Sequence, residues 1–353
     1  EQCRRVEVYL NDNEERGSGP NLLDMDQARE LKLIQRFNPI PAYYEHVRTL
    51  IDCDVIADNP QRFVIDSMYG SGRGVIRGFL QGTGCEVSEI RGEMNPGFGG
   101  VHPEPIRQYL GPLAGAIGAG MGNFGIATDG DADRIGAMDE HGNFVDPHKI
   151  MSLALRYLVE KRGLSGSVVR TVSTTRMIDR LAKKYGLPLR ETPVGFNYIA
   201  DYMIKENVLI GGEESGGIGF SGHIPEGDGI LMGLLIIEMV AQARTTLFEL
   251  VEDLQREVGP VFYERIDLRL KYPIAKEKLV DRLVKEPPAF IGAEKLVEVS
   301  SLDGVKYLFN DDSWLLIRPS GTEPVLRVYA EGRSQAMVKD LLTYGRSVAD
   351  HIA

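Results

Sequence analysis

The stretch Thr128-Asp129-Gly130-Asp131-Ala132-Asp133-Arg134 sets three carboxylates two residues apart, with small residues between them. In an extended loop alternate side chains point the same way, so Asp129, Asp131 and Asp133 are expected to converge on one hard divalent cation while Gly130 and Ala132 stay clear. Three anions this close repel one another severely unless a cation joins them. A solvated acidic turn is the plainer alternative, since Asp and Gly are ordinary turn residues. Context argues against it. Asn123 to Ala127 is an apolar, strand-like run, and Ile135 to Met138 leads through His141-Gly142-Asn143 to Phe144-Val145, so the cage sits at a strand end. Counting from Asp129 as a calcium loop would place Glu140 at the bidentate position. Arg134, however, stands where such a loop needs Gly, and both flanks read as strand rather than helix. Arg134 instead puts a fixed cation beside the metal, which suits an anionic substrate such as a phosphate ester.

Three further segments carry chemistry or imitate it. Gly70-Ser71-Gly72-Arg73-Gly74 lies between a strand and a helix, but its spacing fits neither the dinucleotide fingerprint nor the P-loop, and a tight strand-to-helix turn is the expectation. Gly211-Gly212-Glu213-Glu214-Ser215-Gly216-Gly217 follows the apolar strand Val208 to Ile210. Glu213 and Ser215 should face one side of a glycine-lined turn, where a carboxylate and a hydroxyl can take the vicinal hydroxyls of a sugar. A surface turn would read the same way. Arg318-Pro319-Ser320-Gly321-Thr322-Glu323-Pro324 sits between two strands and has the parts of a phosphate cradle. Arg318 gives a planar donor fork, Ser320 and Thr322 give hydroxyls, and Gly321 lets backbone N–H groups approach an oxygen closely. Arg327, on the outgoing strand, adds a second cation; the alternative is a hairpin loop with a solvated Arg.

These loops need elements to hold them. Arg62 to Asp66 reads as a strand, Val75 to Gln81 as a helix and Cys85 to Ile90 as a strand, one β-α-β unit. After Asp146-Pro147 come helix 148–162, strand 167–172, helices 175–185 and 196–205, strand 208–210 and the long apolar helix 227–243. Past Gly259-Pro260 the pattern turns to strands at 262–270, 295–299, 305–309, 314–317 and 325–330, closed by a helix over 335–351. The expected fold is α/β: two tandem mixed α/β domains followed by a smaller α+β C-terminal domain, with boundaries near residues 40, 147 and 259. Gly111 to Gly125, rich in Gly and Ala, is expected to be mobile.

The 353 residues are too many for one core. A net charge of −11 and a pI near 5.2 disfavour nucleic acid and anionic membranes as partners. The longest greasy run, Ile230 to Val240, is shorter than a membrane span and is interrupted by Gly233 and Glu238. Cys3, Cys53 and Cys85 are widely spaced and odd in number, so neither a disulfide framework nor a zinc site is expected, and a reducing cytoplasm is the natural home. The first residue is Glu1 rather than Met, as in a fragment or a processed form.

Taken together, the aspartate, Glu213 and Arg318 segments resemble those of the α-D-phosphohexomutase family, which includes phosphoglucomutase, phosphomannomutase and phosphoglucosamine mutase. Thr128 to Arg134 is similar to the family's magnesium loop, Gly212 to Gly216 to its sugar-specificity loop and Arg318 to Pro324 to its phosphate-binding loop, in the same order. The likeness extends through Gly99-Gly100-Val101-His102-Pro103-Glu104-Pro105 and Thr192-Pro193-Val194-Gly195-Phe196, from about Ile40 onward. It implies that Asp129, Asp131 and Asp133 hold Mg²⁺ and that Arg134 lies near the transferring phosphoryl group. Glu213 and Ser215 would take sugar hydroxyls, and Arg318, Ser320, Gly321, Thr322 and Arg327 would grip the non-reacting phosphate of a hexose phosphate substrate. Residues 41–147 would then be the metal-loop domain, 148–258 the sugar-loop domain and 259–353 the phosphate-binding domain, with 1–40 the tail of a phosphoserine domain.

The sequence departs from the family pattern in three places. The family's phosphoserine loop, of the type Thr-Ala-Ser-His-Asn-Pro, is not found, and no Ser-His pair occurs anywhere. Gly227 stands before Asp228-Gly229 where relatives commonly have Lys, and Asn197 stands where many have Lys or His, which leaves the general acid and base unassigned. Without its nucleophile the chain is expected to be inactive alone. The complete form would be a phosphoglucomutase or phosphomannomutase, the Glu213-Glu214-Ser215 loop being less like the glucosamine branch. Two rivals predict other behaviour: a haloacid-dehalogenase-like phosphatase, with Asp129 as nucleophile, and a non-catalytic phosphosugar-binding module. Oligomeric state is open between monomer and dimer.

Overall fold

Strands alternating with helices up to residue 258, and strand following strand after it, build the layers that this order dictates. The computed structural model describes residues 2–20, 22–270, 276–320 and 324–350. They fall into two units, one up to Glu45 and one from His46 onward. The first contains α1 (Gln2–Glu15) and α2 (Met25–Glu30), the latter begun by Asp24, whose carboxylate accepts from the Asp26 and Gln27 amides. Next in the chain is α3 (Ile40–Val47).

The second unit contains three sheets. The first runs through α4 (Cys53–Asp58), β1 (Arg62–Asp66), α5 (Val75–Phe79), β2 (Glu86–Ile90), α6 (Gly111–Gly118), β3 (Gly125–Thr128), β4 (Ile135–Met138) and β5 (Phe144–Val145). Its order is β2-β1-β3-β4-β5, with β2, β1 and β3 parallel and β4 and β5 antiparallel. The second runs through α7 (Pro147–Glu160), β6 (Ser167–Thr171), α8 (Met177–Tyr185), β7 (Leu189–Thr192), α9 (Phe196–Lys205), β8 (Val208–Gly212) and β9 (Ile218–Phe220), in the order β7-β6-β8-β9. The two share one winding. In each, the second strand lies outside the first, the third on its other side, and the fourth turns back antiparallel at the end of the third.

Between these layers lie α10 (Gly229–Ala243) and then α11 (Leu247–Val258). Residues 231–241 of α10 are all buried, because the helix packs on α4 and α5 on one side and α7 on another, as its uniformly apolar sequence requires. Glu238 is the charged exception. Among the described residues no single helix is long and apolar enough to cross a membrane.

The third sheet comprises β10 (Phe262–Arg269), β11 (Phe290–Ile291), β12 (Glu294–Ser300), β13 (Val305–Phe309), β14 (Trp314–Pro319) and β15 (Val325–Gly332), antiparallel throughout, with α12 (Lys276–Lys285) and α13 (Gln335–Asp350) beside it. Its period of two divides two cores. Leu315, Ile317, Leu326 and Val328 pack with Leu283 and Leu341, while Trp314, Leu316 and Tyr329 pack on Val172 at the end of β6. The fold is thus α/β, two tandem mixed layers and then a smaller α+β part.

A buried lysine sits at the seam of the second and third sheets. Lys306 is 6% exposed, its Nζ donates to the Val172 carbonyl at 2.7 Å and to Glu191 at 3.2 Å, and it lies 4.5 Å from the centre of the Trp314 ring. Burial, then the neighbouring Arg170, lowers its ammonium to about 8. A base depressed in the folded state leaves more protons on the unfolded chain above that value, so stability rises with pH from about 8 toward the ordinary lysine range. Relative to Lys306→Met, the protein should gain on the order of 1–2 kcal/mol between about pH 8 and 9.5. Urea melts of both proteins across that window check it, and parallel curves would refute it.

Several elements differ from expectation. Gly111 to Gly118 is a helix rather than a mobile stretch, because Leu113, Ala116 and Ile117 share one face and bury it. Six helices, α1 to α4, α11 and α12, and three short strands, β7, β9 and β11, add to the expected set. Strand β8 extends to Gly212, so the glycines there are sheet rather than loop.

Candidate metal, sugar and phosphate site

Antiparallel pairing of Thr128 with Ile135 makes Asp129 to Arg134 the connection of the β3–β4 hairpin. The loop is not extended. It bends at residues 130–132, with Ala132 at a φ of +66°, and the bend rather than side-chain alternation brings the carboxylates together. One oxygen from each of Asp129, Asp131 and Asp133 lies within 4.8 Å of the others.

Neighbouring backbone fixes this bend. The Ser71 amide donates to the Gly130 carbonyl at 2.9 Å, the Gly130 amide to Pro103 at 3.1 Å and the Gly229 amide, opening α10, to Ala132 at 2.9 Å. The glycine turn after β1 is therefore a wall of the aspartate loop. A Cβ on Gly70 would stand 2.5 Å from the Asp129 carbonyl oxygen, which is why that position has none.

The donors suit a hard cation. Asp129 is 5% exposed, Asp133 half-buried and Asp131 exposed, so the cluster runs from the interior to solvent. The Asp133 Oδ1 is buried with no hydrogen-bond partner; the nearest cation, Arg134 Nε, is 3.7 Å away. Burial, then the Asp133 and Asp131 carboxylates, pushes the Asp129 carboxyl up to about 7, against the pull of the Arg134 amide on its Oδ1 at 3.2 Å. Arg134 reaches Asp129 Oδ2 at 3.8 Å and, through Nη1, Glu104 at 3.5 Å. Glu140 is turned elsewhere: it accepts from the Phe248 amide at 3.3 Å, and strands flank the loop on both sides.

The corresponding hairpin of the second sheet, β8–β9, is closed by Glu213 to Gly217, with the Glu213 amide on the Gly217 carbonyl at 3.0 Å. The two hairpins meet edge to edge. Arg134 and Gly217 form an antiparallel bridge, and the Ile135 amide donates to Gly216 at 3.2 Å. Glu213 Oε1 accepts from the Gly195 amide at 2.8 Å, and burial raises its carboxyl, opposed by that bond and by Arg134. Ser215 is half-buried in the same turn. Glu214 is committed to structure: Tyr263 donates its hydroxyl to it at 2.8 Å and Arg265 lies at 3.4 Å.

On the third sheet Arg318 in β14 is the direct cross-strand partner of Arg327 in β15. Like charges placed so are destabilising unless anions answer them. Two aspartates that no sequence motif singles out do so. Asp303 accepts from Arg318 Nε at 2.7 Å, and Asp267 stands 3.8 Å from Arg327 Nε, which is buried without a hydrogen-bond partner. The Ser320 amide donates to Val325 at 2.8 Å. Gly321 and Thr322 lie outside the described residues. The structure thus brings the three aspartates, Arg134 and Glu213 together, and links Glu213 to Arg318 through the Gly195 and Val194 amides and the Asp303 carboxylate. Gly195 holds Glu213, and the adjacent Val194 amide donates to Asp303 at 3.2 Å.

Comparison with known proteins matches three models of one family: phosphoglucomutase/phosphomannomutase alpha/beta/alpha domain II over residues 41–142, alpha/beta/alpha domain III over 146–258, and the C-terminal domain over 275–343. A phosphoglucomutase/phosphomannomutase of Thermococcus kodakarensis is 28% identical over 316 residues, 90% of this chain and 66% of the relative. A phosphoglucosamine mutase of Methanocaldococcus jannaschii is 32% identical over 313 residues, 86% of this chain and 65% of the relative. The crystal structure of a Thermus thermophilus protein described as a phosphomannomutase superposes with a TM-score of 0.78 at 33% identity, covering 89% of this chain and 66% of that one. The chain spans two thirds or less of the length of the curated relatives it matches.

Proposed function

The chain belongs to the α-D-phosphohexomutase family, and from that membership we propose that it supplies the metal loop, sugar loop and phosphate grip of an enzyme moving a phosphoryl group between the 1- and 6-positions of a hexose. The observation that carries the reading is the joining of the two hairpins at Arg134 and Gly217, which sets converged carboxylates beside a glutamate linked through Gly195, Val194 and Asp303 to Arg318, the cross-strand partner of Arg327.

In this reading residues 41–147, 148–258 and 259–353 are three working domains, and each residue has one task. Asp129, Asp131 and Asp133 hold Mg²⁺, which when bound neutralises charge on the transferring phosphoryl group. Arg134 is the catalytic cation, held between Glu104 and the aspartates so that its fork faces the same group. Glu213 accepts from sugar hydroxyls on the oxygen that Gly195 leaves, with Ser215 beside it. Arg318 and Arg327, with Ser320, Gly321 and Thr322, grip the phosphate that does not react. Glucose and mannose phosphates are the proposed substrates, on the sequence of the Glu213-Glu214-Ser215 loop. No Ser-His pair occurs in the sequence, so these residues bind and orient a hexose phosphate but donate nothing to it. By itself the chain is proposed to bind without turnover, in the cytoplasm. The matched models all describe one family and lend a phosphatase reading no support.

Calorimetry with Mg²⁺ present tests this. Glucose 1-phosphate should bind, and Glu213→Gln should weaken it roughly tenfold by removing a charged acceptor, while inorganic phosphate binds both proteins alike. Glucosamine 1-phosphate binding tighter than glucose 1-phosphate would reverse the substrate preference. Absence of binding by any hexose phosphate would overturn the function.

A further inference from the structure

Asp303 lies in the turn between β12 and β13, outside every loop given a role above, yet it touches Arg318 and Val194 of the site and Lys276 of α12. Its Oδ2 accepts from Arg318 Nε at 2.7 Å and from the Val194 amide at 3.2 Å, and its Oδ1 accepts from Lys276 Nζ at 2.8 Å. The residue is 6% exposed, and Lys276 and Arg318 hold its carboxyl below the usual range against the opposing effect of burial. The next residue explains how the turn comes so near. Gly304 has a φ of +87°, and a Cβ there would stand 2.5 Å from the Ile317 carbonyl oxygen and 3.0 Å from Arg318 Cα. No other residue type fits that passage without strain.

We propose that Asp303 is a positioning residue that aims the Arg318 guanidinium at the substrate's non-reacting phosphate and registers it against the sugar loop through Val194. A guanidinium presents Nε and its two Nη groups in one plane, so a carboxylate fixed on the Nε edge sets the direction of the rest of the fork. The same oxygen is fixed to Val194, whose neighbour Gly195 fixes Glu213. Phosphate grip and sugar contact are thereby held at one spacing by a single carboxylate. A preset donor loses less conformational freedom on binding, and Lys276 and Arg318 answer the charge that the carboxylate would otherwise set against a phosphate.

The inference rests on the hexose-phosphate reading, and the experiment separates the two. Glucose 6-phosphate binding is measured by calorimetry on the full chain with Mg²⁺, for the parent, Asp303→Asn, Arg318→Ala and the double variant. Failure of the parent to bind would sink the functional reading. Given binding, Asp303→Asn should be roughly tenfold weaker in the parent background and without effect in the Arg318→Ala background, because it acts only through Arg318. Mg²⁺ affinity should be unchanged, which a general loss of structure would not allow. Binding equal to or tighter than the parent, or an undiminished loss in the double variant, overturns the assignment. A measurement on the unaltered chain guards against a variant that does not fold. The Arg318 Nε–H resonance, assigned by its loss in Arg318→Lys, should exchange slowly and persist at saturating glucose 6-phosphate. Its disappearance on binding would mean that Asp303 competes with the phosphate, and would equally overturn the proposal.

Discussion

Replacing Asp131 with alanine is expected to lower divalent-cation affinity by about two orders of magnitude or more and, at the same time, to raise the melting temperature of the metal-free chain. Both effects have one cause. The three carboxylates stand within 4.8 Å of one another around a buried member, an arrangement that stores repulsion until a cation relieves it. Asp131 is the exposed one, so its removal costs little packing and takes away one of the carboxylates proposed to hold the cation and one repulsive charge. Asp129 shows the same repulsion through pH. Its folded carboxyl is raised to about 7, so from the ordinary carboxylate range up to that value the folded chain holds a proton that the unfolded chain has released. Stability contributed by this group is therefore full below about pH 4 and lost as pH rises toward 7, unless metal takes the proton's place. Melting curves of the metal-free chain from about pH 5 to 8, with and without Mg²⁺, should show the metal's stabilising increment growing with pH; Asp131→Ala should flatten that growth. Equal Mn²⁺ affinity in parent and variant would refute the assignment of the loop.

Much of this was readable from residue order, and the reasons differ by element. The aspartate loop was legible because its carboxylates are local and flanked by two apolar runs, although its geometry is a bend with Ala132 left-handed rather than an extended strand. Helix α9 follows from its helical spacing of apolar residues, and strands β1, β4 and β13 from short apolar runs. Helix α11 could have been found: Thr246 and Glu249 form a capping box, and Leu247, Leu250, Val251 and Leu254 repeat at helical spacing. Strand β7 was not legible, since Arg190 and Glu191 interrupt its apolar pattern; their role emerges only beside Arg170 and Lys306. The common winding of the first two sheets was hidden too, because it resides in strand order and hydrogen bonding rather than in residue identity. The supporting shell was least visible. Glu104, Asp267 and Asp303 occupy ordinary turn or strand positions, and their partners come from distant segments that no local window contains.

Glu238→Ala is expected to destabilise the chain by ~3–5 kcal/mol, the largest effect of any single change away from the site. Glu238 is 1% exposed within the otherwise apolar α10. Its Oε1 accepts from the Tyr157 hydroxyl at 2.6 Å and Arg162 Nε at 3.2 Å, and its Oε2 from the Asp52 amide at 2.9 Å and Arg162 Nη2 at 2.5 Å. Two of the three partners are oriented by another contact: Arg162 also donates to the Leu50 carbonyl at 2.6 Å, and Asp52 caps α4. One carboxylate thus joins α4 of the first layer to α7 of the second, the same two layers whose hairpins meet at Arg134 and Gly217. Alanine would leave the half-buried Arg162 guanidinium with the Leu50 carbonyl alone and would take the acceptor from the Tyr157 hydroxyl and the Asp52 amide, and that unanswered desolvation is the source of the loss. A double change, Glu238→Leu with Arg162→Met, removes both charges and keeps the volume, so it should recover most of the loss. If urea unfolding instead shows the double variant as unstable as Glu238→Ala, the carboxylate's value lies in the neutral donors, Tyr157 and the Asp52 amide. The single variant should also weaken glucose 1-phosphate binding more than Mg²⁺ binding. The aspartates belong to one hairpin and keep their mutual spacing, whereas the proposed sugar contact at Glu213 requires the two hairpins to stay in register.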